Sequence, residues 1–77
     1  MFNMNCETIN NYLEKYNVPL QNLAHKYNTP LGEVLEITEL YLLINSTWDT
    51  LHLYYHLDFY PNDELKNAIS EFVCDTL

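Results

Sequence analysis

The stretch from Leu20 to Ile44, LQNLAHKYNTPLGEVLEITELYLLI, leaves its chain few choices, because apolar residues recur through it at helical spacing with a single interruption. Leu20, Leu23, Ala24 and Tyr27 share one face of a first helix, and the small Ala24 permits a close crossing. Asn28 tolerates a left-handed backbone, Thr29 is a capping residue, and Pro30 suits the first position of a second helix. Along that second helix Leu31, Val34, Leu35, Thr38, Tyr41 and Leu42 fall on one side, while Glu33, Glu36 and Glu39 fall on the other. The spacing therefore predicts a helical hairpin.

The flanking segments follow the same period. Asn5 can cap a first helix with an apolar stripe of Cys6, Ile9, Tyr12, Leu13 and Tyr16, and Asn17 is expected to end it in a left-handed conformation. Val18 and Pro19 then form a short link, since a proline disfavours helical backbone in the residue before it. Leu40 to Ile44 is apolar all round and must be buried on several sides, either by the other helices or by a second copy in a homodimer. Ser46 with Asp49 resembles a capping box for a segment from Thr47 to Tyr60. Read as a helix, this segment places Trp48, Leu51, Tyr55 and Phe59 on one face; read as a strand, it alternates Leu51, Leu53, Tyr55, Leu57 and Phe59 with polar or aromatic residues. The cap and the lack of β-branched residues favour the helix. Pro61 and Asn62 break the chain before a last helix with a core face of Leu65, Ala68, Ile69, Phe72 and Val73. With one glycine and three prolines in 77 residues, the expected fold is a single all-α domain, a small bundle of four to five short helices.

Charge narrows the function. Eleven Asp and Glu oppose three Lys and no Arg, for a formal charge of −8. The hairpin's spacing resembles helix-turn-helix proteins at Ala24, Val34 and Ile37, and simple helix packing accounts for the same spacing. A DNA-reading helix needs cations for phosphates, and this one offers three glutamates, so direct nucleic-acid binding is rejected. An anionic membrane should repel the same surface, and no segment approaches the roughly twenty apolar residues of a spanning helix. The first residues, MFNMNCETINN, lack the basic and apolar regions of a secretory signal, so a cytoplasmic location is expected, with Cys6 and Cys74 as reduced, buried thiols; a disulfide between them stays open.

Little else suggests chemistry. Asp49, His52 and His56 at i, i+3 and i+7 are the one candidate metal constellation, and no fourth ligand is identifiable. Neither Ser46 nor Ser70 has a nucleophile's setting, and one glycine cannot build a phosphate-cradling loop, so no catalytic residue and no cofactor is expected. Seven Tyr, three Phe and one Trp remain, four of them between Tyr54 and Tyr60, either as core or as interface anchors, with Tyr54 and Tyr60 the expected exposed pair.

In size, acidity and aromatic content the chain resembles small phage-encoded DNA mimics and host-takeover inhibitors, which block restriction, repair, CRISPR nucleases, polymerases or sliding clamps. That resemblance implies a basic, DNA-binding host protein as partner, with carboxylates standing in for phosphates. Glu33, Glu36 and Glu39 on one helix and Glu64, Glu71 and Asp75 on another are the residues such a reading would use, with Glu7 and Glu14 in reserve. The competing expectation is a small helical interaction or antirepressor module that binds through apolar and aromatic surface.

Overall fold

The computed structural model describes residues 6–46 and 50–77, and within them the chain is all α-helix and turn. Five helices follow in order: α1 (Cys6–Lys15), α2 (Asn17–Lys26), α3 (Leu31–Ile44), α4 (Leu51–Leu57) and α5 (Asp63–Thr76). The expected small helical bundle is correct. Helix α3 is its hub, packed against each of the other four. Its sequence explains this role: Val34, Ile37, Thr38 and Leu42 are buried on one side, and the half-buried Leu40, Tyr41, Leu43 and Ile44 offer apolar surface in the other directions. Around it, Ile9, Tyr12, Leu20, Ala24, Leu57, Leu65, Ile69 and Val73 complete one core. Thr38 is fully buried and satisfied, its Oγ1 donating to the Val34 carbonyl at 2.7 Å.

The turns show where local chemistry decided the path. After α2 the Thr29 N–H donates to Ala24 O (2.9 Å) and the Asn28 N–H to His25 O (3.2 Å), with Asn28 at φ 51°, a Schellman closure. The left-handed turn expected at Asn28 is thus present. Thr29 does not cap α3: its hydroxyl donates back to Tyr27 O, and Pro30 lies one residue before the helix, its carbonyl accepting from Glu33 and Val34.

The expected stop at Asn17 is wrong. Asn28 is the one described non-glycine residue with positive φ, and Asn17 instead opens α2. Val18 and Pro19 are not a link but part of the first helical turn. Proline is tolerated there because the first intrahelical bond comes from the next residue, Leu20 N–H to Tyr16 O at 3.1 Å, so the missing N–H forfeits nothing. That gain in helix outweighs the backbone preference of Val18.

Two tethers fix the ends of the bundle. The Tyr12 hydroxyl lies 2.5 Å from Thr76 Oγ1, and Tyr16 meets Phe72 edge-on at 5.4 Å, which ties α1 and the residue after it to the C-terminal half of α5. Asn62 caps α5 by accepting from the Leu65 N–H at 3.0 Å. Lys66 then reaches back to Leu57 O (3.3 Å) at the C-terminus of α4, where a cation complements the helix dipole, and pairs with Asp63 (3.2 Å).

Both cysteines are exposed and free, not buried as expected.

Gly32 lies in the first turn of α3, and a methyl group there would meet nothing within 4 Å. Gly32→Ala is expected to stabilise the domain by about 0.5–1 kcal/mol by restricting the unfolded chain, and urea titration would show the gain as a raised midpoint at unchanged slope.

Candidate functional site

Helix α4 is short and its surroundings are unusual. Of the expected segment from Thr47 to Tyr60 only Leu51–Leu57 is helical among the described residues; Trp48 and Asp49, and with them the expected capping box, lie outside those residues. Ser46 turns its hydroxyl to Leu43 O instead, closing the end of α3. The inward side of α4 is Leu53 and Leu57, followed by the half-buried Tyr60. The expected face of Leu51, Tyr55 and Phe59 points outward, 81%, 66% and 69% exposed. Leu53 and Leu57 are buried where α4 packs on α3. Tyr54, as expected, is exposed on the shoulder of the same helix.

The outward residues form a stripe at i, i+4 and i+8, held by an edge-on contact of the Tyr55 and Phe59 rings at 5.7 Å and by His56 against Phe59 at 6.2 Å. Solvent-facing leucine and aromatic side chains along α4 and the turn after it make an exposed apolar patch among the described residues.

Beside the stripe runs a groove of about 500 Å³ between α3 and α4. Glu36, Glu39, Leu40 and Leu43 form one wall, and His52, Leu53, His56, Phe59 and Tyr60 the other. Tyr60 closes it at one point by donating its hydroxyl to Glu36 Oε2 at 2.5 Å. Tyr60 is thus a half-buried clamp and not the exposed anchor expected of it. A second depression, at the α2–α3 turn beside His25, Asn28 and Pro30, carries neither carboxylate nor lysine on its walls.

The remaining candidates sit apart from the groove. Glu33 is half-buried near Tyr60, while Glu64, Glu71 and Asp75 are exposed on α5 and Glu7 and Glu14 on α1. Among the described residues Lys66–Asp63 is the one lysine–carboxylate ion pair; Lys15 and Lys26 lie instead over the rings of Tyr16 and Tyr27. Among the described residues, the acids of α5 at Glu64, Glu71 and Asp75 and those of α1 at Glu7 and Glu14 are thus exposed without a lysine partner. His52 and His56 are exposed on the groove wall, Asp49 lies outside the described residues, and no group of three or more His, Cys, Asp or Glu among those described could hold a metal ion.

The clamp leaves a signature in alkali. Tyr60 keeps its proton to about 12, against 10.0 for an ordinary tyrosine, first because its hydroxyl donates to Glu36, then because of burial and the charges of Glu36 and Glu33. The unfolded chain releases this proton near pH 10 and the folded chain does not, so the bond's contribution is complete below pH 10 and lost as pH rises through about 12. Tyr60→Phe should cost about 1 kcal/mol near neutral pH, allowing for solvent screening. Thermal melts should show wild type and variant converging above pH 12.

Comparison of the chain with protein-family models, with curated proteins and with solved structures finds no match.

Proposed function

We propose that the protein is an acidic binding module that docks on a basic protein surface, with the outward face of α4 as its anchor. The observation that carries this is the stripe of Leu51, Tyr55 and Phe59, exposed together beside Glu36 and Glu39, which pair with no lysine among the described residues. Aromatic side chains supply large contact area at low entropic cost, and rim charges steer encounter and exclude acidic partners. Tyr54 extends the same anchor on its shoulder.

Mimicry of DNA is the stricter form of the idea, supported by the open carboxylates of α3 and α5. It requires both rows, Glu33, Glu36, Glu39 and Glu64, Glu71, Asp75, to engage one partner, and it requires duplex DNA to compete. The two forms part under salt: charge alone is screened as ionic strength rises, whereas an aromatic anchor holds.

The test is capture of partners from a bacterial lysate at low salt, with stepped salt elution, using wild type and Leu51→Ser/Tyr55→Ser side by side. A basic protein retained by wild type and absent from the variant supports the module. Identical profiles for the two would overturn it, and release by added duplex DNA would select mimicry.

A further inference from the structure

We infer that the groove between α3 and α4 receives an amphipathic helical segment carrying Lys or Arg beside two apolar side chains. This rests on the binding reading above and names the chemistry of what enters.

Dimensions come first. From Glu36 to Leu43 the α3 wall spans seven residues, about 10 Å at helical rise. That accommodates two apolar side chains at i and i+4 of an incoming helix with one flanking cation. The groove's volume of about 500 Å³ lies in the range of sites that accept such groups.

The walls then set polarity. Leu40, Leu43, Leu53 and Phe59 offer an apolar bed, and Glu36 and Glu39 stand on one rim. The Tyr60 hydroxyl fixes Glu36 in place, so this carboxylate reaches an incoming cation without first being ordered. Glu39, one turn further along, is exposed. A guanidinium or ammonium group brought to this rim finds two carboxylates, whereas an acidic segment finds repulsion. A second copy of the chain fits less well, because each copy carries a formal charge of −8.

The probe is a fluorescein-labelled peptide of roughly 16 residues, long enough for helix, with Leu at i and i+4 and flanking Lys and Arg; its charge-reversed twin carries Glu at the cationic positions. Anisotropy titration into the intact protein should show saturable binding of the cationic peptide and none of its twin. Glu39→Lys and Phe59→Ser should each weaken binding about tenfold or more, while Val18→Ser, exposed on α2, should leave it unchanged. Glu39 and Phe59 are both exposed, so neither variant should unfold the domain, and far-ultraviolet circular dichroism checks this.

Equal binding of the two peptides, no binding of either, or indifference to Glu39→Lys would overturn the inference. So would sedimentation as a dimer that excludes the peptide. Should the peptide fail while Leu51→Ser/Tyr55→Ser still abolishes partner capture, the groove inference falls and the binding face stands. If capture survives the double variant, the binding face itself is wrong.

Discussion

Leu42→Ala is expected to remove about 2–5 kcal/mol of stability, the range for truncating a buried leucine whose cavity collapses only in part. Leu42 is fully buried on α3, the helix against which every other helix packs, so the cavity opens where the bundle has least freedom to close. A domain of 77 residues has roughly 4–11 kcal/mol in total, so this one change takes a large share of it. At about 4–8 °C per kcal/mol, the melting temperature should fall by about 8 °C or more. Leu51→Ala removes the same atoms from a side chain that is 81% exposed and should change stability by less than about 0.5 kcal/mol. Thermal melts of the two variants separate burial from chemistry; equal losses would contradict the assignment of α3 as the hub.

The second large effect concerns association. Glu33→Lys/Glu39→Lys changes two charges of −1 to +1, so the formal charge of −8 becomes −4. It does so at Glu39 on the groove's rim and at Glu33 beyond it, near Tyr60, and leaves the clamped Glu36 in place. Charges on a rim act mainly on the rate of encounter, so the association rate with a basic partner should fall about ten- to a hundredfold at low salt. At 1 M salt, where screening acts over about 3 Å, the difference should nearly vanish, with the dissociation rate little altered throughout. Stopped-flow association kinetics across a salt series would measure it. The matching Glu64→Lys/Glu71→Lys change on α5 distinguishes the two forms of the proposal: mimicry of DNA requires a comparable loss, and an anchor centred on α4 a smaller one.

How much of this was legible in the sequence differs by segment. The α2–α3 hairpin was readable because its apolar period was strong and Asn28 is among the few residue types that enter left-handed backbone cheaply. Helix α5 was readable because Asn62, Asp63 and Glu64 announce a helix start and Leu65, Ile69 and Val73 keep period. Helix α4 was not, because Leu, Tyr or Phe occupies seven of the ten positions from Leu51 to Tyr60, and the few polar residues, His52, His56 and Asp58, do not mark out which apolar face turns inward. Only the packing of α4 on α3 buries Leu53 and Leu57 and leaves Leu51, Tyr55 and Phe59 outside. Nor could local pattern reveal the Tyr60–Glu36 clamp, since its partners lie 24 residues apart. The misreading of Asn17 and Pro19 has a related cause: their local preferences favour a stop, and the first turn of a helix is the place where a proline forfeits no hydrogen bond.

The account depends most on the outward stripe of α4 being a contact surface. Isothermal titration of a purified captured partner into wild type and into Leu51→Ser/Tyr55→Ser, with melting temperatures recorded for both, tests that dependence directly. The stripe predicts at least a hundredfold loss of affinity, the scale of two aromatic or aliphatic anchors, in a variant that melts where wild type does. Undiminished affinity in a folded variant would contradict it.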